Sequence, residues 1–208
     1  MWLCSFRTTA LTARTPASAV GAFVGALQRA VSCVTNEVLG VSADGYKAAS
    51  SPHRLAFHNH DPVRLAGGGR LSLRIEQYYR VRPEGAQGLW KVETAAYLYT
   101  FYDAEIHEIL AYHWHPQTRT GTSFPHLHLS YGLVRADLLE RAGLSQAHNG
   151  LRPDFVGAHL PTRRIALEDV LQTAIEQLGV EPRRVYRRDW DTMLQKTRAL
   201  FKEDRTWV

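Results

Sequence analysis

Hydrophobic and polar positions change their spacing three times along the chain. The segment "ASAVGAFVGALQRAVSCVTNEVL" (17–39) is moderately apolar, with Arg29 interrupting the run. It predicts an amphipathic helix from about Ala17 to Leu39, stopped by Gly40. From Gly67 to Ser130 the period becomes two. In "RLSLRIEQYYRV" (70–81), Leu71, Leu73, Ile75 and Val81 share one face while Ser72, Arg74, Glu76 and Arg80 share the other, the signature of a half-buried strand. "LWKVETAAYLYTFYD" (89–103) predicts the next strand, residues 105–115 a third and "PHLHLSYG" a fourth. Connections this short imply an antiparallel meander. The helical period then returns in "ALEDVLQTAIEQLG" (166–179), and a last helix is expected to start at Asp189, with Trp190, Met193, Leu194, Thr197 and Phe201 on one side. The pattern describes an α+β fold: a four- or five-stranded antiparallel sheet with helices packed on one face and an extra N-terminal helix. Residues 1–40 form a helical or leader segment, and 41–208 a single α+β domain.

Composition narrows this picture. With 45% hydrophobic and 22% charged residues among 208, the chain belongs to the ordinary globular class. No run of eighteen apolar residues exists, so no membrane association is expected. The only cysteines, Cys4 and Cys33, lie in the N-terminal segment and cannot staple the body of the protein, which makes a reducing cytoplasm the default location. Residues 1–36 carry Arg7, Arg14 and Arg29 but no acid, which is the composition of a targeting peptide. The formal net charge of +5 favours phosphate polyanions, although arginine in such excess over lysine is also what GC-rich coding produces.

The candidate chemistry lies in "YHWHP" (112–116) and "PHLHL" (125–129), two His-x-His pairs in one short span. On a strand, residues i and i+2 share a face, so His113 pairs with His115 and His126 with His128. A symmetric hairpin would set His113 opposite His128 and His115 opposite His126, making a square of four imidazoles. Tyr112, Trp114, Leu127 and Leu129 would then point into the core, and His107 and Glu105 would share strand parity with His113. Three readings are open. Neutral imidazoles suit a divalent transition metal. Imidazole can also take and give a proton near neutral pH, with Arg119 in the loop to balance phosphate charge. The third reading is a set of polar residues on a wet sheet face. His53, His58 and His60 in "HRLAFHNHD" and the basic run "RRVYRR" (183–188) are weaker candidates for the same surface.

The order "YxYxFxD…EIxxYHWHP…FPHLHL…HLPTxRxxLEDVL" resembles the TumE-like group of small bacterial proteins, proposed toxins of toxin–antitoxin gene pairs. The resemblance covers about residues 75–178. Its strongest matches are Phe124, Pro125, His126 and His128, then Leu167, Glu168, Asp169 and Val170. This chain is about twice as long and has Leu127 where a second His is often found. The resemblance implies an RNA or translation target and neutralisation by an antitoxin-like protein partner. It supports an RNA-directed reading in which His113, His115, His126, His128 and Arg119 form the site, with His126 and His128 as acid and base. The alternatives are a non-enzymatic module that docks a partner on the Tyr and Trp surface of the sheet, and a metal-dependent hydrolase.

Overall fold

The computed structural model describes residues 12–58, 61–67, 70–85, 88–116, 122–129 and 159–201. The first element is helix α1 (Pro16–Val31). Pro16 sits where its missing amide costs nothing, and the Thr15 hydroxyl accepts from the Ser18 amide at 3.1 Å. The helix ends eight residues before the expected Leu39, because Leu39 already belongs to a strand.

The strands are β1 (Leu39–Val41), β2 (His53–Phe57), β3 (Val63–Arg64), β4 (Ser72–Glu84), β5 (Leu89–Tyr102), β6 (Glu108–Trp114), β7 (His126–Leu129) and β8 (His159–Pro161). They form one antiparallel sheet in the order β1-β2-β4-β5-β6-β7-β8, with β3 also paired to β4. The α+β class and the antiparallel β4 to β7 meander are as expected, but the sheet is larger than four or five strands. The additional strands are short, two to five residues each, too brief to impose a visible period. Helices α2 (Leu167–Glu176) and α3 (Trp190–Phe201) complete the chain, with the Asp189 carbonyl accepting from Met193 N at the start of α3.

The three helices among the described residues cover the same face of the sheet. Tyr97, Tyr99 and Phe101 of β5 point into the core with Leu73 and Ile75 of β4 and Trp114 of β6. Tyr112, Leu127 and Leu129 pack against that core, as the alternation predicts. From α1, Phe23 reaches both Tyr79 (ring centres 5.4 Å apart) and Phe201 of α3 (5.9 Å), so one side chain joins sheet and two helices. Among the described residues no helix is long and apolar enough to cross a membrane.

A cavity of about 280 Å³ lies between helices and sheet, lined in part by Phe23, Gln77, Thr94, Tyr99, Glu168 and Phe201. Glu168 is buried there with its Oε1 unpartnered. Burial pushes its carboxyl up from 4.5 to about 7, against the opposing pull of its own backbone amide and Arg198. The unfolded chain therefore releases this proton first. Below about pH 4.5 the acid is neutral in both states and costs nothing; stability falls as pH rises towards 7, and the full penalty persists above it. At pH 8, Glu168→Gln is expected to stabilise the protein by up to about 3 kcal/mol and to flatten the pH dependence between 5 and 7. Urea unfolding at pH 5 and 8 measures both; a variant less stable than the parent at pH 8 would contradict it.

Candidate functional site

The sheet face away from the helices carries two rows of side chains, fixed by strand register. One row runs Ala56, Glu76, Leu98, His113, His126 and Pro161; its neighbour runs Arg74, Thr100, Ala111, His128 and His159. Polar groups at one end of this face and imidazoles at the other therefore belong to a single surface.

The β6–β7 register differs from the symmetric hairpin by two residues. His113 stands opposite His126, while His128 faces Ala111 and His115 lies just beyond the end of β6. Between β6 and β7 there is one directly opposed histidine pair, not two. A slip of two keeps every side chain on its own face, so alternation cannot choose between the registers. In the observed register the core face aligns Phe101, Leu110 and Leu129 in one apolar row, and Tyr99, Tyr112, Leu127 and Leu160 in the next.

The imidazoles still gather. The His113 ring centre is 5.3 Å from that of His126, 5.7 Å from His128 and 5.8 Å from His115. A fifth ring, His159, lies 4.5 Å from His126 and 5.5 Å from His128. Sequence reasoning did not place His159 among the site residues, since its three-residue strand is exposed and shows no alternation. The one available signal was its position two residues before Pro161 in "HLPT", within a segment already singled out.

Other candidates fall elsewhere. Arg119 and His60 lie outside the described residues. Strand β6 begins at Glu108 rather than 105, and Ile106 in the preceding turn has φ 64°, so the strand parity expected for Glu105 and His107 is lost. His107 instead contacts Asp103 Oδ2 through Nδ1 at 3.3 Å, while Asp103 Oδ1 accepts from the amides of Glu105 and His107. His53 hydrogen bonds with the Lys47 carbonyl at 2.8 Å and packs on Tyr79, on the helix side. In the basic run, Arg183 donates to the carbonyl of Ser32 at 2.9 Å and Arg187 pairs with Glu181 at 3.6 Å. Tyr97, Tyr99 and Trp114 are buried beneath the helices and present no aromatic docking surface.

Hydrogen bonds fix the tautomers. Nδ1 of His126 donates to the Phe124 carbonyl at 2.9 Å, which leaves Nε2 as a lone pair; that atom is buried and unpartnered. Nδ1 of His128 lies 2.8 Å from Glu108 Oε1 and donates to it, so its Nε2 is turned the other way. The Nε2 of His113 is likewise buried without a partner. Burial, reinforced by His126, His115 and His128, pushes His113 down to about 4, with Glu108 opposing. His115 is lowered by burial and then by His126, with Glu76 opposing; His159 is lowered by burial and then by His126 and His128. Beside them, the Glu76 carboxylate pairs with Arg74, lies 3.9 Å from Arg54 and accepts from the Tyr78 hydroxyl at 3.2 Å. Two guanidinium groups thus share one carboxylate.

Among the described residues, only Asp103, Glu105 and His107 bring three ligand atoms within 4.8 Å of one another. The imidazole nitrogens do not meet at one point as the rings stand. No protein-family model, curated protein or solved structure matches this chain.

Proposed function

We propose that this protein cleaves RNA by general acid–base catalysis on the sheet face away from the helices, as a TumE-like toxin acting in the cytoplasm and neutralised by an antitoxin-like partner. One observation carries the reading: His126 and His128 are adjacent same-face residues whose Nδ1 atoms are both committed, one to a carbonyl and one to a carboxylate. Each imidazole is thereby left with Nε2 as its working atom.

His126, anchored to a neutral carbonyl, serves as base. Its Nε2, buried in the free protein, takes the proton of a ribose 2′-hydroxyl brought against it, and the 2′-oxygen attacks the adjacent phosphorus. The bond from phosphorus to the 5′-oxygen breaks, and that oxygen takes a proton from His128 Nε2, giving a 2′,3′-cyclic phosphate and a free 5′-hydroxyl. Glu108 is placed to balance the charge His128 carries before this transfer. Two residues along a strand span about 6.6 Å, enough to place one imidazole at the entering and one at the leaving oxygen of an in-line displacement. Arg54 and Arg74, on the same face, supply positive charge for the phosphate. The depressed values of His113, His115 and His159 keep those rings neutral at physiological pH, so they do not compete as acids.

Purified protein incubated with total RNA in excess EDTA is expected to produce fragments ending in cyclic phosphate. Intact RNA would overturn the reading, and cleavage that stops with EDTA would replace it with a metal-dependent one.

A further inference from the structure

We infer that His113, His126, His128 and His159 form a binding site for one divalent transition-metal ion of the imidazole-preferring kind: nickel, copper or zinc. Three independent features of the four rings point to it.

The first is spacing. With metal–nitrogen bonds of about 2.0–2.1 Å and the ring centre about 1.2 Å beyond, two tetrahedral ligands have ring centres about 5.3 Å apart, and two at a right angle about 4.5 Å. Around the four-membered circuit His113, His126, His159, His128 the separations are 5.3, 4.5, 5.5 and 5.7 Å. Every neighbouring pair falls near the range that a single ion imposes. The second is the far side of each ring. Metal-binding histidines usually donate their other N–H to a carbonyl or carboxylate, and here His126 does so to Phe124 and His128 to Glu108. The third is the near side. The Nε2 atoms of His113 and His126 are buried without hydrogen-bond partners, an arrangement that costs free energy unless something accepts their lone pairs.

Convergence on one ion requires ring rotation, and His159 is the residue placed to supply it. It stands on the exposed strand β8, where its Nδ1 lies 3.5 Å from the Thr122 hydroxyl. The trio Asp103, Glu105 and His107 is a poor competitor for such an ion. Both its acids are carboxylates, which suit harder cations, and Asp103 Oδ1 already accepts two backbone amides.

An ion bound there occupies the Nε2 lone pairs of His126 and His128, so nickel or zinc should inhibit RNA cleavage. That corollary rests on the proposed function; the binding itself does not.

The test is calorimetric titration of the chelator-stripped full chain with nickel, zinc and magnesium chlorides. One nickel or zinc ion per chain and no magnesium uptake are expected. His159→Ala, at an exposed position, should weaken binding at least tenfold while the circular dichroism spectrum is unchanged. Glu108→Gln should weaken it by about 10- to 100-fold through loss of the group behind His128, and His107→Ala should leave it alone. Absence of binding by either ion, or binding that survives His159→Ala and Glu108→Gln, or binding lost in His107→Ala, would overturn the site. Binding with no inhibition of an RNA-cleaving preparation would count against the acid–base assignment and leave the metal site standing.

Discussion

Removing the His126 imidazole, as His126→Ala, is expected to slow RNA cleavage by about 10²- to 10⁴-fold, the range supplied by one positioned acid or base. His126 is 3% exposed and sits directly opposite His113, with its ring orientation set by the Phe124 carbonyl. Among the described residues no other imidazole stands at this position: His128 is tied to Glu108 and faces Ala111, His115 lies past the end of β6, and His159 is paired with His128. Loss of a proton acceptor used only in the transition state lowers kcat and kcat/KM together. Single-turnover rates with a defined oligoribonucleotide read this directly, and a melting curve separates it from misfolding. His53→Ala, on the helix side of the sheet, is the matched control and should retain cleavage. A variant at His126 that cleaves at the parent rate would remove this residue from any acid–base role.

The second large effect concerns stability. Phe23→Ala is expected to cost about 3–5 kcal/mol, the usual range for truncating a buried phenylalanine. Phe23 is almost wholly buried and touches Tyr79 of the sheet and Phe201 of the last helix. Its ring also walls the cavity of about 280 Å³, so truncation enlarges an existing void instead of letting neighbours collapse into a small one. For a chain of 208 residues this corresponds to a fall in Tm of about 6–20 °C. Thermal unfolding measures it. A loss below about 1 kcal/mol would mean that α1 contributes little to the core.

Periodicity made the central fold legible. Leu73 and Ile75 on one side of β4, and Arg74 and Glu76 on the other, follow from alternation alone, as does the burial of Trp114 between two histidines. The amphipathic stripe of α2 and the Phe201 side of α3 were equally plain. What alternation could not supply was register. A two-residue slip exchanges His128 for His126 opposite His113 without moving any group to the wrong face, and in the observed register Leu110 pairs with Leu129. The strands that enlarge the sheet were hidden for a different reason: β1, β3 and β8 are two or three residues long and held by neighbours rather than by their own composition. His159 was overlooked on that account. Residues 105–107 read as strand, although they belong to the turn, because a left-handed Ile106 is unusual for a β-branched residue.

The placement of β8 has a consequence for how this molecule forms. Strands β4 to β7 follow one another closely along the chain, whereas β8 joins β7 only after the chain has travelled from Leu129 to His159. Pairing residues so far apart in sequence carries the greater entropic cost, and such pairings tend to come late. In refolding, burial of Trp114 should thus precede docking of His159, so that newly made chains pass through a stage with a formed interior and an unfinished working surface. A stopped-flow experiment following tryptophan emission alongside a probe at position 159 would resolve the two phases.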